Sequence, residues 1–183
     1  MEVTQLAFLA GLLILCISCL GCNQNVPNEM KGSEELMSQK AHGTCPQAPM
    51  KPLRWGADWD TADNICCFNR HYAERAGYWE GTQFPAAMRS ADSEITFYDP
   101  VTSKPLFIAP RGRSWQDFEK ESLSHGWPSF RDDEVVQANV RVLPNGEAVS
   151  VDGTHLGHNL PDGSGNRYCI NLVSIAGLSP DTE

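Results

Sequence analysis

Near the C-terminus, one cysteine and two histidines have types and a spacing that could do chemistry. Cys169 stands in the strand-like stretch "NRYCINLVS", and His155 and His158 stand shortly before it in "GTHLGHNLPDG". A thiolate is a nucleophile and a redox centre, and a histidine exchanges a proton near neutral pH. Together with Asp152 these residues could instead form a metal site, because nitrogen and sulfur ligands suit zinc. A single strand cysteine is also commonly an inert core residue.

Three short blocks of sequence in this region form one pattern. They are "HGWPSF" at residues 125–130, "GTHLGHNLPDG" at residues 153–163 and "NRYCIN" at residues 166–171. In order and spacing they resemble the signature blocks of the methionine-R-sulfoxide reductases, of the MsrB or SelR type, and the likeness covers roughly residues 70–177. Each block alone is a weak signal, but three in the same order over about 50 residues argue against coincidence.

The resemblance implies a role for individual residues of these blocks. The catalytic residues that it implies are Cys169, His155, His158 and Asn171. The substrate-binding residues that it implies are Trp127, Arg167 and Phe130. In this reading Cys169 attacks the sulfoxide sulfur and becomes a sulfenic acid, while the two histidines and the asparagine hold and protonate the substrate oxygen. The chemistry agrees, because a nearby guanidinium favours a thiolate and an imidazole is a proton donor near pH 7.

The function implied by this resemblance is that of an exported peptide-methionine (R)-S-oxide reductase. Its partners would be proteins that contain oxidised methionine and a thioredoxin-like electron donor. Two other classes stay open: a non-catalytic binding module on the same scaffold, and a metal-binding protein that uses His155, His158 and Cys169.

The sequence departs from the family at two places. Many relatives bind a structural zinc through four cysteines, and the corresponding positions here are Asp99, Thr102, Val149 and Asp152. Because these residues cannot make a closed thiolate site, we predict no zinc and no other cofactor.

The second departure concerns the thiol that reduces the sulfenic acid. Its usual position in the relatives is occupied here by His125. The candidate resolving thiols are therefore Cys45, Cys66 and Cys67, with an external thiol or a thioredoxin-like reductant as the alternative. Equally, Cys45 and one cysteine of the adjacent pair could form a structural disulfide, as in other exported proteins.

The N-terminus has the pattern of an export signal. An apolar run of about 17 residues ends in "CLGC", which predicts a signal peptide over residues 1–21 and lipidation of Cys22, or else an uncleaved membrane anchor. Residues 22–49 are polar and lack periodicity, so they predict a flexible linker. The catalytic domain then spans residues 50–183, at the periplasmic or extracytoplasmic face of a membrane. The net charge of −9 does not favour a nucleic-acid partner.

The elements that must position the candidate residues are mostly strands. Residues 94–99 and 105–110 flank a turn-rich connection and predict a hairpin. Residues 135–143 and 147–152 flank "PNG", which predicts a second hairpin, and residues 167–177 predict a further strand.

Helix signals are few. Residues 114–125 carry a capping serine, Ser114, followed three residues later by Asp117, and a short helix is also expected around residues 71–76. The sequence therefore predicts a mainly β fold with antiparallel β-sheets and one or two short helices. The resemblance implies that the sheets are of the MsrB (Mss4-like) type.

Overall fold

The computed structural model describes residues 26–182. The predicted signal segment and Cys22 lie outside the described residues. Within residues 26–182 no helix has both the length and the apolar character needed to cross a membrane.

Two antiparallel sheets form the framework of the domain, which confirms a mainly β fold. The smaller sheet is the predicted hairpin, in which β1 (Ile95–Tyr98) pairs with β2 (Pro105–Ala109). Phe97 and Phe107 face each other in this pairing and are both fully buried. The turn between the strands therefore sets a register that directs two aromatic rings into the core.

The larger sheet has five strands in the spatial order β3, β7, β6, β5, β4, and every neighbouring pair is antiparallel. Its strands are β3 (Ser129–Phe130), β4 (Val140–Val142), β5 (Glu147–Ser150), β6 (His155–Asn159) and β7 (Tyr168–Ile170). The predicted second hairpin is β4 and β5, although β4 is shorter than expected. The strand predicted over residues 167–177 ends early, because a 3-10 helix replaces it after Asn171.

Residues 26–182 contain three α-helices, which is more than the one or two expected. They are α1 (Trp59–Asp63), α2 (Phe84–Arg89) and α3 (Trp115–His125). The third helix was predicted correctly: Ser114 and Asp117 form a capping box, and Gly126 ends the helix in the left-handed conformation. Residues 71–76 form a loop instead of the expected helix.

Shorter helical turns connect these elements. A π-helical turn, Asn64–Phe68, continues α1. The 3-10 helices are Asn28–Met30, Glu34–Met37, Arg54–Gly56, Tyr78–Gly81, Asp132–Glu134, Leu172–Ile175 and Pro180–Thr182.

The linker predicted over residues 22–49 is wrong for the described part, residues 26–49. Val26, Met30 and Met37 are buried, and Lys31 bridges to Val142 on the edge strand β4. This segment therefore covers the open edge of the larger sheet. Its apolar residues are spaced irregularly because they pack from short 3-10 turns, so no strand or long-helix period marks them in the sequence.

An aromatic core joins the hairpin, the helices and the larger sheet. Phe130 stacks on Phe107 with 4.3 Å between ring centroids and meets Phe97 edge-on at 5.0 Å. Phe118 of α3 and Phe84 of α2 extend the same cluster. These ring contacts hold β3 against α3, and Trp127 lies in the short segment between the two elements.

Candidate functional site

A cavity of about 350 Å³ opens on the larger sheet beside β6 and β7. It is lined by Arg70, His71, Tyr72, Ala73, Trp127, His155, Gly157, His158, Leu160, Cys169 and Asn171. Five of the seven residues implied as catalytic or substrate-binding are among them. The loop at residues 70–73 forms a wall of the cavity that does not come from the sheet.

The pairing of β6 with β7 sets the thiol beside the imidazoles. His158 lies directly opposite Cys169, and Gly157 lies opposite Ile170. A Cβ at Gly157 would lie 2.1 Å from the carbonyl oxygen of Cys169. Only glycine therefore allows the two strands to approach this closely.

A β-bulge explains how two histidines three residues apart reach one cavity. In a regular strand their side chains would point to opposite faces. Ala148 of β5 pairs with Gly157, but Val149 pairs with His155, so Leu156 is an extra residue on β6. The bulge turns His155 to the same side as His158, and their ring centroids lie 5.8 Å apart.

Cys169 is half-buried, and a guanidinium lies against its sulfur. Nη1 of Arg167 donates to Sγ at 2.5 Å, and the hydroxyl of Ser129 lies 3.8 Å from it. Arg167 is itself held by Asp162, which accepts a hydrogen bond from Nε at 3.1 Å. The guanidinium is therefore held between the carboxylate of Asp162 and the sulfur of Cys169.

His155 is oriented by a buried carboxylate that the sequence did not single out. Glu147 lies 2.8 Å from Nδ1 of His155 and also accepts hydrogen bonds from Arg70. Burial alone would raise the pKa of Glu147, but the hydrogen bonds from His155 and Arg70 lower it to about 2. The ionised carboxylate therefore keeps a proton on Nδ1 and leaves Nε2 as the reactive nitrogen.

His158 differs from His155 in its surroundings. Burial of part of its ring, followed by repulsion from His155, lowers its pKa below the usual 6.5. His158 is therefore mostly neutral at pH 7 and can accept or donate one hydrogen bond in the cavity.

Glu74 is a second residue of the site that sequence reasoning missed. Its backbone nitrogen donates to Oδ1 of Asn171 at 3.0 Å, and its carbonyl accepts from Nε1 of Trp127 at 3.2 Å. Its carboxyl group accepts from the backbone nitrogens of Leu172 and Val173, at 2.9 and 2.6 Å. Glu74 therefore ties the loop at residues 70–73, the tryptophan and the end of β7 into one unit.

Burial strongly affects the Glu74 carboxyl group, which is 3% exposed. Loss of hydration raises its pKa from 4.5 to about 7, although the two backbone hydrogen bonds act in the opposite direction. No sequence signal distinguishes this glutamate from its exposed neighbours in "RHYAERAGY".

Asn171, implied as a ligand of the substrate oxygen, already has two protein partners. Besides accepting from Glu74, its Nδ2 donates to the carbonyl oxygen of Leu156 at 3.1 Å. Nδ2 carries two hydrogens, so one is available for a second hydrogen bond. The side chain is thus held rigidly at the cavity wall.

Phe130, expected to contact substrate, does not line the cavity. It is fully buried in the aromatic core, because β3 directs its ring toward Phe107 and away from Cys169. Arg167 also lies behind the wall, where it contacts Cys169 and not the open space.

The three candidate resolving thiols lie away from the cavity. Cys45 and Cys67 form a disulfide with a Cα–Cα distance of 5.2 Å, the structural pairing considered as an alternative. Cys66 is fully buried, its sulfur contacts the hydroxyl of Ser174, and burial raises its pKa strongly. Neither cysteine of the adjacent pair lines the cavity, so this conformation gives no support to either one as the resolving thiol, and that role stays a prediction.

Of the four positions compared above with the family's zinc ligands, Asp99 and Asp152 make polar contacts with other residues here. The buried Asp99 accepts hydrogen bonds from the backbone of Val101 and from Thr154, and Asp152 pairs with Lys104. The disulfide packs beside Val101, with Cys45 Sγ 4.0 Å from the carbonyl of Gly153. A covalent cross-link therefore lies next to these positions. The absence of zinc stays a prediction.

In the described part of the chain, two clusters place three possible metal-ligand atoms within 4.8 Å of one another. Neither cluster includes His155, His158 or Cys169. One includes Cys67, whose sulfur is in the disulfide. The other includes Glu121, Asp162 and the exposed His125, and its carboxylates bind Arg131. The geometry thus gives no support to a metal site at the cavity.

The cavity combines a thiol next to a cation, two imidazoles of different environment and an indole face. No family model matches this chain. A cavity that combines a nucleophilic sulfur, a proton donor and an aromatic wall can accommodate an uncharged, polarisable sulfur compound.

Proposed function

We propose that this protein is a thiol-dependent peptide-methionine (R)-S-oxide reductase of the MsrB type. The observation that carries the proposal is Cys169, whose sulfur contacts Arg167 and opens on a cavity shared with Trp127, His155 and His158. The three sequence blocks that resemble this family supply all five of these residues. The antiparallel sheets agree with the fold that the resemblance implies.

In the first step the Cys169 thiolate attacks the sulfoxide sulfur. The sulfur–oxygen bond breaks, the oxygen passes to Cys169 as a sulfenic acid, and the methionine leaves as the reduced thioether. His155, in its doubly protonated form, gives the oxygen the proton on Nε2, while Glu147 accepts a hydrogen bond from Nδ1 and holds the ring in place. The indole of Trp127, anchored by the Glu74 carbonyl, packs against the substrate methyl group.

In the second step two external thiols reduce the sulfenic acid. The first forms a mixed disulfide with Cys169 and releases water, and the second displaces Cys169 and leaves as a disulfide with the first. A thioredoxin-like partner supplies both thiols. Among the described residues that line the cavity, Cys169 is the only cysteine, which supports resolution from outside.

We also propose that the domain works outside the cytoplasm. The apolar N-terminal run supports export, and the buried Cys45–Cys67 disulfide suits an oxidising compartment. Attachment through Cys22 remains part of this proposal.

The test uses dithiothreitol and the two epimers of a blocked methionine sulfoxide. We expect loss of the R epimer alone, no turnover by Cys169→Ser, and near wild-type turnover by Cys66→Ser, which makes the same substitution at a thiol outside the cavity. Binding of the sulfoxide without turnover would favour the non-catalytic module instead. Unchanged activity of Cys169→Ser would remove this thiol from the mechanism.

A further inference from the structure

The mouth of the cavity carries exposed apolar side chains. In the described part of the chain, four large hydrophobic residues are notably exposed: Phe68, Tyr72, Leu123 and Leu160. Tyr72, 56% exposed, and Leu160, 43% exposed, both line the cavity that contains Cys169. We call these two residues the apolar rim.

Backbone hydrogen bonds hold the main chain of both rim residues in place. The nitrogen of Tyr72 donates to the carbonyl of Asn69 at 3.0 Å, and the nitrogen of Leu160 donates to the carbonyl of Arg167 at 2.7 Å. The Leu160 contact comes from the residue whose guanidinium touches the reactive sulfur. The rim is therefore held in place before a substrate arrives, which lowers the entropy lost on binding.

The charges at the cavity discriminate against a free amino acid. Among the described residues that line the cavity none is a carboxylate, so they offer an α-ammonium group no counter-ion. Arg70, which could attract an α-carboxylate, is already paired with Glu147 and Glu34. A methionine sulfoxide within a polypeptide carries neither charge and avoids this desolvation cost.

We propose that the apolar rim binds an aliphatic or aromatic side chain next to the sulfoxide in a polypeptide substrate. The inference rests on the proposed reductase function and specifies its substrate class: oxidised methionines in apolar segments. The rim is continuous with the cavity, so one extended segment can occupy both.

The test compares two blocked peptides in which the R-sulfoxide is flanked by leucine or by serine. For the wild type we expect kcat/KM about tenfold higher with leucine, the effect of burying about one apolar side chain. In Tyr72→Ser/Leu160→Ser this preference, taken as the ratio of kcat/KM for the two peptides in the same variant, should fall below about threefold. Each single variant should lose part of the preference.

Leu123→Ser is the matched control, because Leu123 is 50% exposed on α3 and does not line the cavity. It should keep the full preference. A wild type that reduces both peptides equally, or a double variant that keeps the preference, would overturn the inference and leave the reductase function standing. A wild type inactive on both peptides would overturn the proposed function and this inference with it.

Discussion

Replacing Glu74 by glutamine tests whether a buried carboxyl group behind the cavity titrates near neutral pH. In the native protein this carboxyl group accepts hydrogen bonds from the backbone nitrogens of Leu172 and Val173, and its pKa is raised by burial from 4.5 to about 7. In the unfolded chain the group returns to an ordinary value. The native state therefore binds more protons than the unfolded state between pH 4.5 and 7.

The sign and size of the effect follow from this difference. Stability that is present below pH 4.5 is lost as the pH rises to about 7, since deprotonation is easier in the unfolded chain. The difference between a pKa of 4.5 and one of about 7, at about 1.4 kcal/mol for each tenfold change in the dissociation constant, gives about 3–4 kcal/mol. Glutamine does not titrate and keeps one of the two acceptors, so the substitution costs about 1 kcal/mol at pH 4, where Glu74 is protonated.

The assay is urea unfolding from pH 4 to 8, followed by the fluorescence of the five tryptophans. The wild-type free energy of unfolding minus that of Glu74→Gln should fall by about 3 kcal/mol across this range, because other titrating groups cancel in the difference. Glu80→Gln, at an exposed position in the same part of the chain, is the matched control. If the difference in free energy of unfolding between the wild type and Glu74→Gln does not change with pH, the reasoning is refuted.

Two further predictions follow from the contacts around the cavity. Glu147→Gln should lower kcat about 10- to 100-fold, because an amide does not fix the proton on Nδ1 of His155 as the carboxylate does. Steady-state kinetics check this, and an unchanged kcat would contradict it. Replacing Cys45 and Cys67 together by serine should reduce the free energy of unfolding by about 2–5 kcal/mol, measured in urea without reductant. The same variant should keep its activity at 25 °C, and its loss there would mean that the disulfide also supports the cavity.

Much of the fold could be predicted from the sequence where local signals act alone. The capping box at Ser114 and Asp117 specified the start of α3, and turn residues specified both hairpins. These signals work because a cap or a tight turn is satisfied by residues within a few positions of each other. The sequence also named the residues that meet at the cavity, since their types and order were readable without coordinates.

Contacts between distant parts of the chain decided the rest. Glu74 binds Val173, 99 positions away, and Cys45 bonds Cys67 and not Cys66. Nothing in the neighbouring sequence indicates either partner. The burial that raises the pKa of Glu74 exists only after folding. Phe130 was expected at the site because it stands in the block "HGWPSF" with Trp127, which does line the cavity, but β3 turns the ring of Phe130 into the core.

The two histidines show most clearly which features follow from the sequence and which from the tertiary structure. The sequence by itself determined that an imidazole pair precedes the cysteine, with a glycine between them at position 157. Only the tertiary structure decided that both imidazoles face one cavity, because three residues of regular strand would have sent them to opposite faces. The extra residue, Leu156, arises from how β6 pairs with β5, and that register depends on packing of the whole sheet.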